Sequence, residues 1–175
     1  IRLISIEELP EDALVVPMAF MGAPLIATEK LPSGREFQLI IENLQKLGKE
    51  LVLMPAEIGG ANGLSAFAVA AQMGLPVLDA DTLGRAFPQL QMSSCNLNGV
   101  HASPAYFADS LGNLVLIHAE DSSALERIGR HVSISMGSSC AIAVYLMSGM
   151  QARTAVIPGT VTQAFELGQA VLNAR

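Results

Sequence analysis

Tryptophan is absent from this sequence, and both aromatic residues and charge are scarce. Charged residues make up 15% of the chain and apolar residues 51%, which is far from the composition of a disordered segment. The net charge is −6, and no basic run with interleaved aromatic residues occurs, so we expect no nucleic-acid partner. The apolar surplus favours helix-on-sheet layers and a large interface, and we expect a homo-oligomer.

Long apolar runs and cysteine patterns are also missing. Gly, Pro or charge interrupts every run before the roughly 18–20 apolar residues that a membrane span needs, so we expect a soluble protein without a membrane partner. Cys95 and Cys140 have no CxxC spacing, and two distant thiols favour a reducing, cytoplasmic compartment over a disulfide framework. The opening IRLISIEELP lacks the regions of a signal peptide. The length fits one domain.

Hydrophobic patterns predict the first elements. Residues 13–20 form a continuous apolar run typical of a strand, and Pro17 predicts that this strand lies at a sheet edge or carries a bulge. A helix ending at Gly48 follows, because apolar residues recur at helical spacing at Phe37, Ile40, Ile41, Leu44 and Leu47.

Residues 50–81 predict a βαβ unit. An apolar strand at 50–54 is followed by the loop PAEIGGANG (55–63), a helix at 64–73 and a second strand at 75–81. Both strands lack polar alternation, as expected of strands buried on two faces, and a helical crossover makes them parallel. Glu57, Asp79 and Asp81 are therefore expected at the same carboxyl edge of the sheet.

The second half of the chain is less regular. Residues 93–106 are loop-like, 113–118 form an apolar strand, and Ser123 with Glu126 has the spacing of a capping box for a helix to about His131. Residues 132–149 are compatible with either strand or helix. The segment RTAVIPG predicts a strand to Ile157, and Thr160 with Gln163 predicts the start of a last helix through Leu172.

The loop PAEIGGANG is the first candidate binding element. It ends at a helix N-terminus, where unpaired N–H groups favour an anionic or carbonyl oxygen and where glycines allow close approach. The spacing of Gly59, Gly60 and Gly63 fits neither a Walker loop nor GxGxxG. The alternative is a tight turn with close helix packing.

Acidic residues supply the candidate chemistry. Glu57 is a candidate base, substrate anchor or metal ligand, and the alternative is a carboxylate held by loop amides. Asp79 and Asp81 point the same way within a strand but diverge beyond its end, and Arg85 is a candidate partner for either. A buried Asp–Arg pair that holds a loop is the structural alternative.

Histidine and cysteine patterns do not define a metal site. Of His101, His118 and His131, only His118 lies at a predicted strand end with acids nearby, and no HxH or HExxH spacing occurs. The two cysteines are more typical of small core residues than of nucleophiles, and no serine lies in a GxSxG elbow. The metal requirement and the cofactors are therefore left unknown.

Several long strings together resemble one known family. MGAPLIATEKLPSG, LMPAEIGGANGLSAFAVAAQMGLPVLDADTLGRAFPQLQM, HASPA and VIPGT are similar to the N-terminal domain of the S-methyl-thiohydantoin desulfurase family. Family members carry a glycine-rich stretch before, and a β-rich domain after, the region that the chain covers. The resemblance therefore implies that residues 1–175 are a single α/β domain of a longer two-domain protein, folded as a three-layer α/β/α sandwich with a mostly parallel sheet.

The resemblance also implies a function in hydantoin metabolism. The expected activity is hydrolytic removal of a sulfur substituent from a small cyclic imide, and a hydantoinase or oxoprolinase is the expected partner. The alternative is a non-catalytic accessory or ligand-binding subunit. By this resemblance the catalytic candidates are Glu57, Asp79, Asp81 and Arg85, and the substrate-binding candidates are Gly59, Gly60, Asn62, Gly63, Glu29 and Lys30.

Overall fold

The fold is known from a computed structural model, in which residues 1–23, 25–29 and 33–174 are described. Strands and helices alternate along most of the chain. In chain order they are β1 (Leu3–Ile4), β2 (Leu14–Gly22), α1 (Ile26–Glu29), α2 (Glu36–Gln45), β3 (Leu51–Pro55), α3 (Asn62–Met73), β4 (Val77–Leu78), β5 (Ala80–Asp81), a 3₁₀ turn (Leu90–Met92), α4 (Ser94–Leu97), β6 (Ala105–Ala108), β7 (Leu114–Ile117), α5 (Ser122–Ser135), β8 (Ser139–Ala143), β9 (Met147–Ser148), α6 (Gly149–Ala155), β10 (Ile157–Pro158) and α7 (Thr160–Asn173).

The main sheet has the strand order β1-β4-β3-β2-β8-β6-β7, with β9 also pairing β2. The first four strands in this order are parallel, and the pairings from β2 to β8, β6 and β7 are antiparallel. Strands β1, β4, β3, β2 and β6 therefore run in one direction, and β8 and β7 in the other. The predicted mostly parallel sheet is confirmed, with an antiparallel part on one side.

Apolar side chains alternate between the two faces of the sheet and form two cores. Val15 and Val52 lie in one core with Leu125 of α5 and Ala152 of α6. The neighbouring residues Leu14, Val16, Leu51 and Leu53 lie in the other core, with residues of α2 and α3. Helices therefore cover both faces, which confirms the three-layer α/β/α sandwich and explains why β2 and β3 are apolar throughout.

Of the two alternatives predicted for the strand that contains Pro17, the edge position is wrong, and the bulge is found in the neighbouring segment of the sheet instead of in β2 itself. Strand β2 lies between β3 and β8, and the carbonyl of Pro17 accepts a hydrogen bond from Val144 N on the β8 side. The backbone N and O of a strand residue point to the same side, so the missing proline donor also faces that neighbour. On that side, the neighbouring segment between β8 and β9 has one more residue than β2 between the pairs Met18↔Ala143 and Val15↔Met147. The ladder between β2 and β3 stays intact.

The predicted βαβ unit is confirmed at β3, α3 and β4, but its second strand is divided. Strand β4 joins the main sheet beside β3, whereas β5 pairs antiparallel with β10 in a separate two-stranded sheet. Asp79 lies between the two short strands. This break turns the chain away from the main sheet just where the predicted acidic residues occur.

Several predicted helix boundaries are corrected. Helix α2 ends at Gln45, so Leu47 lies beyond it and is exposed rather than on its buried face. Helix α5 runs to Ser135 and is capped by Asp121, whose side chain accepts from Ala124 N, instead of by Ser123. Helix α7 has Gly159 at its N-cap, with φ of +77°, and Thr160 makes no capping bond.

Other elements differ from the sequence prediction in type. Strands β1 and β6 were not predicted, and the first two residues of β6 fall inside the segment expected to be a loop. Most of the predicted strand before Ile157 is helical, because α6 continues to Ala155, and only Ile157 and Pro158 pair with β5. The undecided segment 132–149 contains the end of α5 followed by β8 and β9.

Helix α7 packs against the rest of the molecule only through its first turn. Thr160 and Val161 are buried, whereas the residues from Thr162 to Ala174 are exposed. Among the described helices, none is both long and apolar enough to cross a membrane. The exposed large apolar residues of α7 are Phe165, Leu167, Val171 and Leu172.

Candidate functional site

Two loops meet at the carboxyl edge of the parallel strands. The loop after β3 and the segment after β5 are joined by Thr82, which donates to Ala56 O from its N–H (3.1 Å) and from its hydroxyl (2.7 Å). Next to this contact, Ile58 N donates to Asp81 Oδ2 at 2.8 Å. The crossover therefore brings the Glu57 loop and the Asp81 segment together, as the parallel arrangement predicted.

Glu57 is half-buried, and both of its carboxylate oxygens are hydrogen bonded. Oε1 accepts from Asn62 Nδ2 at 2.6 Å, and Oε2 accepts from Phe87 N at 2.8 Å. These two donors come from the start of α3 and from the segment after β5, so they fix the plane of the carboxylate from both sides. Each oxygen keeps a further lone pair that can accept from a ligand.

Asn62 links this carboxylate to the central strand β2. Its Oδ1 accepts from Phe20 N at 2.8 Å, and its Nδ2 donates to Phe20 O at 3.3 Å as well as to Glu57. Phe20 is itself held in β2 opposite Ala141 of β8. The first residue of α3 therefore ties the loop after β3 to the end of β2.

Asp81 is fully buried and serves as a hydrogen-bond acceptor for two loops. Besides Ile58 N, Gly84 N donates to both of its oxygens, at 2.7 and 2.9 Å. Burial raises the pKa of Asp81, and the backbone donors Ile58, Gly84 and Leu83, with the Thr160 hydroxyl, oppose the rise. The Thr160 hydroxyl is close enough to affect this pKa, although its oxygen makes no hydrogen bond of normal geometry.

Asp79 points away from Asp81 and caps helix α7. Its Oδ1 accepts from Val161 N and Thr162 N at 3.0 Å each, and its Oδ2 accepts from the Thr162 hydroxyl. Its backbone oxygen accepts from Gly159 N at 2.8 Å. A carboxylate at the positive end of a helix is electrostatically favourable, so the geometry gives Asp79 a clear structural role, and a catalytic role stays a prediction.

The glycines of the loop differ in what they do. A Cβ on Gly59 would come within 3.0 Å of Ala86 N and Cβ, so this glycine allows the two loops to approach each other. Gly60 has φ of +56°, which favours glycine, and open space surrounds the position of a Cβ there. A Cβ on Gly63 would meet Ile58 Cδ1 at 3.4 Å.

The remaining predicted residues do not join this cluster. Arg85 is exposed, and within the described part of the chain it forms no ion pair with Asp79 or Asp81. The anticipated Asp–Arg pair is therefore not formed. Glu29 is exposed at the end of α1, and Lys30 lies outside the described residues.

A second group of residues, which was not predicted, holds the segment that carries Phe87. Glu126 Oε2 accepts from Leu90 N at 3.0 Å, and Arg130 donates to Glu126 at 2.6 Å and to Pro88 O at 2.8 Å. Tyr145 OH donates to Leu90 O at 2.7 Å. The Ser-x-x-Glu spacing drew attention to Glu126 as a capping residue, but no local pattern indicates a contact 36 residues away.

Neither metal ligands nor a reactive thiol is found in the described ranges. No group of three or more His, Cys, Asp or Glu side chains converges there, and all three histidines are exposed. Burial raises the pKa of the Cys95 thiol to about 11, so the thiol is neutral near pH 7 and is a poor nucleophile. Cys140 is also buried, in line with core packing.

Comparison with known proteins identifies the family. Residues 1–119 match the S-Me-THD-like N-terminal domain, and residues 120–175 match the S-Me-THD-like C-terminal domain. The chain is similar to a protein from Chromobacterium violaceum whose crystal structure comes from the Northeast Structural Genomics Consortium. The two sequences are 29% identical, and the two folds superpose with a TM-score of 0.88. The match covers 99% of this chain and 50% of that one, so the chain spans about half the length of its structural relative. No curated protein matches significantly. The resemblance in the sequence motifs is confirmed, and the chain belongs to the S-Me-THD-like family.

Proposed function

We propose that the chain is part of a hydrolase that removes a sulfur substituent from a hydantoin-like five-membered ring, with Glu57 as its general base. The observation that supports this proposal is the Glu57 carboxylate, which is half-buried at the carboxyl edge and fixed by Asn62 and Phe87 N. General bases need this combination of fixed orientation and remaining acceptor capacity.

The reaction requires one water molecule. Glu57 takes a proton from water as the oxygen attacks the sulfur-bearing ring carbon, a C–O bond forms, and the C–S bond breaks. The departing thiolate receives the proton from Glu57, the second water proton goes to the ring nitrogen, and the products are a cyclic imide and a thiol. In the described part of the chain, the N–H groups of Gly60 and Ala61 make no hydrogen bond and can stabilise a developing negative charge.

Substitution of Glu57 by Gln in the full-length protein tests this function. We expect turnover of an S-methylated thiohydantoin, measured by the release of thiol, to fall by about 10²- to 10⁴-fold, which is the usual contribution of a general base. Glu50→Gln is the matched control, because this exposed acid lies at the opposite end of β3. Undiminished turnover in a folded Glu57→Gln protein would refute the assignment.

The exposed apolar side of α7 favours a second candidate, a non-catalytic accessory module that binds a hydantoinase-type subunit. Phe165 and Leu172 are 68% and 64% exposed and lie on the same side of the helix by their spacing, whereas Glu166 lies about 100° around the helix from Phe165. For this candidate, Phe165→Glu abolishes association measured by light scattering or calorimetry, whereas Glu166→Gln does not. Association that survives Phe165→Glu contradicts it. The same experiment on the protein alone tests the predicted homo-oligomer.

A further inference from the structure

Asn62 has no hydrogen-bond donor left for a substrate. A side-chain amide has two N–H donors, and Asn62 Nδ2 directs them to Glu57 Oε1 at 2.6 Å and to Phe20 O at 3.3 Å. Its oxygen accepts from Phe20 N at 2.8 Å. A substrate acceptor could therefore bind this amide only after one of its two donor bonds had broken.

The orientation of the Asn62 amide is fixed by its neighbours. With the oxygen and nitrogen exchanged, the amide oxygen would face the Glu57 carboxylate, and the NH₂ group would face the N–H of Phe20. Both contacts would be repulsive, so only the observed orientation satisfies all three partners. The amide therefore presents a donor to Glu57 in a single, defined direction.

The support behind Asn62 is rigid. Phe20 pairs with Ala141 in the centre of the sheet, and its ring packs edge-to-face on Phe37 of α2 with the centroids 4.8 Å apart. A residue on a loop, such as Glu57, gains precision when its partner is anchored in regular structure. Through its hydrogen bonds to Phe20 and Glu57, Asn62 thus fixes the Glu57 carboxylate relative to β2.

We infer that Asn62 is a positioning residue that acts through Glu57 and donates no hydrogen bond to the substrate. This inference rests on the proposed role of Glu57 as a general base. It assigns the amide a role different from the substrate contact that the family resemblance suggested. It also predicts that removal of the amide slows the chemical step and leaves substrate affinity unchanged.

The test is a double-mutant comparison in the full-length protein with an S-methylated thiohydantoin as substrate. Asn62→Ala is expected to lower kcat by about 10- to 100-fold, as small misplacements of a reacting group do, with KM changed less than twofold. Asn62→Asp keeps an acceptor for Phe20 N but places a negative charge beside Glu57, so we expect an equal or larger loss. Asn98→Ala is the control, because its amide donates to Ser94 O without an acidic partner.

The decisive measurement is made in the Glu57→Gln background, where Asn62→Ala should cause no further loss. A rise in KM at unchanged kcat, or the same fold-loss in both backgrounds, overturns the inference while the role of Glu57 stands. Full turnover by Glu57→Gln alone overturns the proposed function and the inference together, so the two failures are distinguishable. Should Asn62→Ala not fold, Asn62→Asp carries the same comparison.

Discussion

Because Asp79 caps α7, we expect its substitution to lower the local stability of this helix. In Asp79→Ala, Val161 N, Thr162 N and the Thr162 hydroxyl all lose their acceptor. The contact between Gly159 N and the Asp79 backbone oxygen stays, so the chain path into the helix is kept. The substitution therefore removes the cap without removing the connection to β10.

The magnitude follows from two effects. Loss of a side-chain cap costs about 1 kcal/mol, and loss of a negative charge at the helix N-terminus costs about 0.3–1 kcal/mol, so we expect about 1.3–2 kcal/mol in total. Beyond Val161 the helix is exposed and has little packing to offset this loss. Each 1.4 kcal/mol is a factor of about ten in the population of the open state, so opening of α7 should increase roughly 10- to 30-fold.

Hydrogen–deuterium exchange of peptides covering 160–173 measures this opening. We expect faster exchange in α7 for Asp79→Ala, a smaller increase for Asp79→Asn, and no change in β2 or β3. Asp121→Ala is the matched control, because it removes the cap of α5 at Ala124 N and should accelerate exchange in α5 only. Unchanged exchange of α7 in Asp79→Ala, or equal acceleration throughout the sheet, would show that the cap does not control the helix.

Three further substitutions test the frame of the site. Burial raises the pKa of Asp81 above 3.8, so protonation of this carboxylate stabilises the fold fully below pH 3.8, and the stabilisation is lost as the pH rises through the raised pKa. In urea unfolding, the stability of the wild type should therefore fall with rising pH relative to that of Asp81→Asn. Parallel pH profiles of the two proteins would contradict this. Gly59→Ala should separate the loop from Ala86, because a Cβ at residue 59 would lie 3.0 Å from Ala86 N. We expect reduced turnover in kinetic assays and an unchanged circular dichroism spectrum, since the sheet stays folded. Tyr145→Phe leaves Leu90 O without its buried donor and should lower the free energy of unfolding by about 1–3 kcal/mol in urea titrations; a value near zero would argue against that hydrogen bond.

The parts of the fold that were predicted correctly depend on local patterns. The βαβ unit at β3, α3 and β4 combines two apolar strands with a helix and glycine-rich turns, and each of these signals is readable within about ten residues. The meeting of the Glu57 loop with the Asp81 segment then followed from the parallel crossover. The partners of these carboxylates were beyond prediction, because backbone N–H groups such as Phe87 N have no sequence signature.

The errors arose where a distant contact decided between local alternatives. Pro17 is compatible with a central strand only because the neighbouring segment of the sheet has an extra residue near Tyr145, which adopts φ of +53°. Glu126 has the correct spacing for a capping box with Ser123, but it binds Leu90 N and Arg130 instead. The deciding partners, Tyr145 for Pro17 and Leu90 for Glu126, are more than 30 residues away in sequence, so periodicity and capping rules could not identify them.

The frame of the candidate site draws on both matched segments of the family. Glu57 and Asp79 lie within residues 1–119, whereas the α5 residues that hold the Phe87 segment and the α7 start that binds Asp79 lie within 120–175. Strand β8 of the second segment also pairs with β2 and β6 of the first. A cut at residue 119 would therefore remove a central strand and release both supports of the site. Since the Glu57 carboxylate depends on Phe87 N, the geometry proposed for catalysis requires both segments to fold together.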